Sequence, residues 1–169
     1  MRTLGLMTFM VPIGFATATG TLTGQAIGAA KPELVRHYYN LAVRLSVFIA
    51  LLIDMVLIVF KELIINSYTK NPEIKAEIGK AWLIFTIFVI FDTTNAIGGS
   101  FIRASGQQAT GAKITSAAYF VFGIPTTLLM VFWQDLGIVG IWVGPTIATL
   151  FNTISYLHLF QKMDLEKLV

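Results

Sequence analysis

One carboxylate stands out by its position. Asp92 is the only charged residue between Ala81 and Ile102, about eleven residues from either end of that apolar run. At 1.5 Å per residue it lies roughly 16 Å from each edge, near the middle of a hydrocarbon slab about 30 Å thick. An aspartate at that depth costs about 2.5–3.5 kcal/mol to insert and normally faces a bundle interior or an aqueous cavity. Thr93, Thr94 and Asn95 follow it directly, and Asn95, three residues on, shares its helix face. Desolvation disfavours the charged form of a carboxyl, so one reading is a site that takes up and releases a proton or cation. The other is a protonated aspartate hydrogen-bonded between helices. Depth and polar company favour the first.

Other polar groups sit inside apolar runs. Thr17, Thr19, Thr21, Thr23 and Gln25 make one run unusually polar, and Thr149, Asn152 and Thr153 form a face on another. Such side chains either line a cavity for a cationic substrate or bond back to helical carbonyls. Both readings stay open. Tyr119 is the one aromatic of interest far from the end of a run, whereas Trp82, Trp133 and Trp142 suit interfaces or packing. Asp54, about six residues or roughly 9 Å from Lys61, is expected to be a boundary carboxylate reaching the headgroups.

The elements that must position these groups are membrane helices. The chain has 169 residues, 56% apolar and only 12% charged, with a mean hydropathy of +0.76. A soluble domain carries about 25% charged residues. Five spans are expected, at about 4–30, 41–60, 81–102, 114–134 and 136–161, giving an all-α polytopic transmembrane bundle. Pro32 suits the first turn of a short helix in the first connection. Asn71-Pro72-Glu73 reads as a turn and helix start, and Arg103 to Lys113 reads as a loop. Gly20, Gly24 and Gly28 recur every four residues, and Gly140 and Gly144 repeat the spacing. Small residues so placed let membrane helices pack closely, with bending during a transport cycle as the alternative.

Several classes are excluded. Cysteine is absent, and His37 and His158 have no second ligand at metal spacing. No phosphate loop, paired-histidine helix or nucleophile elbow is present, so no enzyme and no cofactor are expected. A net charge of +3, without basic and aromatic residues interleaved, offers nothing to nucleic acid.

Lys and Arg counts set the expected orientation. Lys31, Arg36, Arg44, Arg103, Lys113, Lys162 and Lys167 fall on one side, against Arg2, Lys61, Lys70, Lys75 and Lys80. The first group is expected to be cytoplasmic, with the C-terminus. A signal peptide over Leu4–Phe15, cleaved after Ala16-Thr17-Ala18, is disfavoured because the apolar run continues to Ala30.

The order of motifs resembles the multidrug and toxic compound extrusion (MATE) family. Met10-Val11-Pro12-Ile13-Gly14, then Gly24 to Ala30 and Pro32, is similar to the family's eighth helix and following loop, with Ala30 in place of a usual glycine. Ile102-Arg103-Ala104-Ser105-Gly106-Gln107 resembles the loop after the tenth helix. Tyr119, Gly123-Ile124-Pro125 and Gly137 to Trp142 resemble the eleventh helix and the start of the twelfth. Asp164-Leu165-Glu166-Lys167 is similar to the tail of eukaryotic-type members. Asp92 stands eleven residues before Arg103, where the tenth helix often carries an acid.

The resemblance implies a secondary antiporter expelling organic cations and other xenobiotics in exchange for protons or sodium. This chain would supply helices eight to twelve, a partial C-terminal lobe over 1–169, in a plasma, vacuolar or vesicular membrane. The first lobe and the acidic seventh helix would be missing partners, making the chain a fragment. The alternatives are a non-transporting or degenerate membrane subunit, or a flippase of the same superfamily.

Overall fold

The structure, a computed structural model, describes residues 2–166 and 168. Met1 and Lys167, used above for charge and tail motifs, lie outside the described residues. The elements are α1 (Arg2–Gly28), α2 (Pro32–Val59), α3 (Lys61–Tyr68), α4 (Pro72–Ala104), α5 (Gln108–Ala117), α6 (Ile124–Leu128) and α7 (Gly137–Lys162). Wide π turns at Ala118–Gly123 and Leu129–Trp133 join α5 and α6 into one rod. Four stretches are long and apolar enough to cross a membrane: Gly5–Gly28, Pro32–Val59, Gln108–Trp133 and Gly137–Lys162. The expected span at 81–102 is the later two-thirds of α4, whose 33 residues reach roughly 50 Å.

α4 is the centre of the bundle and packs against α1, α2 and α7. Gly5 lies beside Phe85 and Trp142, and Gly98 lies against Tyr156. Ser100 Oγ donates to the Ala16 carbonyl at 2.5 Å. These pairs set α1, α4 and α7 parallel, with α2 and the α5–α6 rod antiparallel between them. Aromatic contacts tie the two ends of the bundle. Tyr39 stacks on Phe160 at 3.9 Å at one end, and Phe85 meets Trp142 edge-on at 4.8 Å at the other. Large apolar side chains face outward on α2 and on the rod, Phe132 at 76% and Trp133 at 78% exposure. Such a surface suits lipid, not water.

Helix ends differ from the sequence expectation where capping favours helix over loop. Pro32 opens α2 itself and not a short separate helix. Asn71 Oδ1 accepts from the Glu73 backbone N–H at 2.9 Å, so α4 begins at Pro72, well before the apolar run. The expected loop from Arg103 to Lys113 shrinks to a turn at 105–107, because α5 starts at Gln108. Gly106, at φ +73°, closes that turn with its N–H on the Arg103 carbonyl.

The packing glycines divide into two groups. A Cβ added at Gly20 would stand 2.5 Å from Ser100 Oγ, one at Gly140 would stand 2.9 Å from the Met130 backbone, and one at Gly144 would run into Thr127 Oγ1. Gly24 and Gly28 have open space around them.

At the end of α1 the chain uses Ala30 at φ +54°, with Ala30 N–H on the Ile27 carbonyl and Lys31 N–H on that of Ala26. A left-handed residue at this place is usually glycine, and a Cβ there costs roughly 1–2 kcal/mol. Ala30→Gly should therefore stabilise the detergent-solubilised protein by about 1 kcal/mol in denaturant unfolding. An unchanged or lowered midpoint would contradict the left-handed turn.

Candidate functional site

A cavity of about 430 Å³ opens between α1, α4, the α5 rod and α7. One stripe of α4 forms its wall: Asp92, Asn95, Ala96, Gly99 and Arg103, residues three and four apart on one helix face. α1 contributes Phe9, Ile13, Ala16 and Thr17, the rod contributes Thr115 and Tyr119, and α7 contributes Asn152 and Tyr156. Four residues singled out by sequence, Asp92, Asn95, Tyr119 and Asn152, thus meet in one space. Tyr119 lies within electrostatic range of Asp92.

The fifth, Thr149, is fully buried but does not line the cavity. Its hydroxyl donates to the Pro145 carbonyl at 2.8 Å. That contact belongs to a wider habit: Thr17, Thr93 and Thr94 also return their hydroxyl protons to the carbonyl four residues back. Thr93 and Thr94 are buried on faces of α4 away from the cavity. They are neighbours of Asp92 in sequence only.

Two acceptors are left over. The side-chain oxygens of Asn95 and Asn152 are buried without a hydrogen-bond partner. Asn152 is aimed by its other end, since Nδ2 donates to Thr115 Oγ1 at 3.3 Å, and Thr115 Oγ1 meets Tyr156 OH at 2.8 Å. An unsatisfied buried acceptor costs about 1–3 kcal/mol, and two in one cavity with a carboxylate call for a donor or a cation. Arg103 is about 16 Å from Asp92 along α4, at the far end of the cavity. Thr115 and Tyr156 were missed by the sequence reading. Tyr156 follows Asn152 by four residues, a spacing that places both on one face. Among the described residues, no group of three or more acidic or histidine side chains could hold a metal ion.

Asp54 requires a correction. It was expected at the membrane boundary, reaching the headgroups, but it is buried at 6% exposure. Neither of its carboxylate oxygens has a hydrogen-bond partner. Burial follows from the helix face: Ser46, Ala50, Asp54 and Leu57 form the stripe of α2 that packs inward, and Ser46 Oγ contacts Thr94 of α4 at 3.5 Å.

With the geometry in hand, the chain can be set beside known proteins. The sequence profile of the MatE family matches residues 1–129. Multidrug and toxin extrusion protein 1 of Danio rerio is 26% identical over 97% of this chain and 28% of its own length. The human protein of that name is 26% identical over 97% of this chain and 29% of its own. An uncharacterized transporter of Saccharomyces cerevisiae is 31% identical over 97% of this chain and 24% of its own. The chain therefore spans under a third of the length of these relatives. Among solved structures, the eukaryotic MATE transporter AtDTX14 superposes with a TM-score of 0.93 at 21% identity, covering 98% of this chain and 37% of that one. An inward-facing multidrug resistance MATE transporter gives 0.84 at 19% identity, covering 99% and 38%.

The partnerless carboxyl of Asp54 yields a prediction. A buried polar group without a partner destabilises by about 1–3 kcal/mol, and an apolar replacement of similar size removes that term. Asp54→Val should raise the melting temperature of the purified protein in detergent. A drop would reveal a stabilising contact to the carboxyl.

Proposed function

This chain belongs to the MatE family, and we propose that it is part of a secondary antiporter exporting organic cations in exchange for protons or sodium. The observation that carries this reading is the lining of the Asp92 cavity. The carboxylate and the free oxygens of Asn95 and Asn152 are acceptors with nothing to accept from. Such a set binds positive charge: a hydrated proton donor, a sodium ion, or the ammonium of an organic cation. Tyr119 adds an aromatic wall, on which a cationic ligand gains about 0.5–2 kcal/mol when desolvated.

Exchange follows if the same carboxyl serves both ligands. A protonated Asp92 is neutral and loses its attraction for a cation; a deprotonated one regains it. Binding of either ligand then opposes the other, and the coupling is reciprocal by thermodynamic necessity. Carriers of this general type hold such a site near the midplane while surrounding helices rock about it. The relatives' names, multidrug and toxin extrusion, fit organic cations as cargo. The segments of those relatives beyond this chain would complete the passage. Lys31, Arg36, Arg44, Arg103, Lys113 and Lys162 support a cytoplasmic position for the end where α1 and α7 finish.

The test is transport by the protein that carries this chain, reconstituted in proteoliposomes with an imposed pH gradient. Asp92→Asn should reduce the initial efflux of a fluorescent organic cation to that of protein-free vesicles. Efflux at the wild-type rate would remove Asp92 from the coupling step.

A further inference from the structure

A second cavity, about 570 Å³, lies at the end of the bundle where α1 finishes, α2 begins and α7 finishes. It is separate from the Asp92 cavity. One wall is α2, which presents Glu33, Arg36, Asn40 and Arg44 at intervals of three and four, on one face. The other wall is the segment after α7, with Asp164 and Glu166. Leu165 between them is buried in the core with Val35 and Tyr39, and so pins this acidic segment opposite the start of α2. Glu166 N–H donates to Asp164 Oδ1 at 3.2 Å, fixing the turn.

Charges of both signs thus line one space without neutralising each other. Among the described residues the ion pair formed is Lys80 with Glu77, far from this cavity. Arg36 and Arg44 are exposed and unpaired. Arg44 lies past the start of the apolar run at Leu41, a depth where a guanidinium without an anion is costly. Next to Arg44 the same helix exposes Leu41, Leu45, Phe48 and Leu52, again spaced three and four apart. That stripe leads from the cavity into the hydrocarbon.

We propose that this cavity binds the head group of a zwitterionic phospholipid bearing a primary amine, phosphatidylethanolamine in chemical class. Arg36 and Arg44 take the phosphate, since guanidinium binds phosphate oxygens in a bidentate, charge-assisted manner. Glu33 and Glu166 take the ammonium, whose N–H groups donate to carboxylates. The acyl chains lie along Leu41, Leu45 and Phe48. A phosphatidylglycerol head supplies the phosphate but leaves the carboxylates unanswered. A choline head supplies charge but no N–H donor. The apolar stripe is what selects a lipid over a free phosphoethanolamine molecule.

The test is thermal unfolding of the purified, delipidated protein in detergent, with phosphatidylethanolamine, phosphatidylcholine or phosphatidylglycerol of identical acyl chains added. Phosphatidylethanolamine should raise the melting temperature by several degrees, with the other two giving a smaller rise. Arg36→Gln with Arg44→Gln should abolish that difference without lowering the lipid-free melting temperature, because both side chains are exposed. Glu166→Gln, outside the helices, should weaken the preference for ethanolamine over choline and leave folding untouched. Equal stabilisation by choline lipid would overturn the proposal, as would a larger effect from phosphatidylglycerol or an ethanolamine preference that survives in the variants. A rise produced equally by soluble phosphoethanolamine would assign the site to a free ligand and overturn the lipid reading.

Discussion

Polar groups inside hydrocarbon have no water to turn to, and the protein must satisfy them itself. In this bundle most side-chain hydroxyls within the spans do so at once. Thr17, Thr19, Thr21, Thr93, Thr127, Thr146 and Thr149 each donate to the carbonyl four residues earlier on their own helix. Where helices touch, Ser100 and Thr153 donate across to carbonyls of a neighbour. This local satisfaction removes most of the polar content of the sequence from functional consideration. What is left is a short list: Asp92, Asn95 and Asn152 in one cavity, and Asp54 apart from it.

The bundle is arranged around that remainder. α4 carries the cavity stripe on one side, while Phe101 and Ile97 are packed into the core. Glycines where α7 meets the rod let the two backbones approach closely, Gly123 and Gly144 facing each other. Pro125 has no N–H to continue the ladder, and the rod widens into a π turn over Ala118–Gly123 just before it. Tyr119 sits in that turn. π turns occur often at functional sites because they redirect a side chain without breaking the helix.

Much of this was legible in the sequence, and the failures have physical causes. Composition and run length gave the all-α membrane bundle. The isolation of Asp92 and the i, i+3 relation to Asn95 placed both on one face. Hydropathy could not find the ends of α2, α4 and α5, because capping and helix propensity extend helices beyond the membrane. Asp54 was misplaced because its distance from Lys61 was taken as depth, whereas the inward stripe of α2 decides its burial. Gly24 and Gly28 have the same spacing as Gly20 but no neighbour within reach, since spacing names a face and not what lies against it. The Thr115–Tyr156 contact joins residues 41 apart, and no local pattern announces it.

The central claim is that one carboxyl, Asp92, holds either a proton or a cation. Its most direct test is proton release on cation binding, followed with a pH indicator in weakly buffered detergent solution. The protein that carries this chain should release protons in proportion to the organic cation bound, and its Asp92→Asn variant should release none. Cation binding without proton release, at pH values where Asp92 is protonated, would contradict the account.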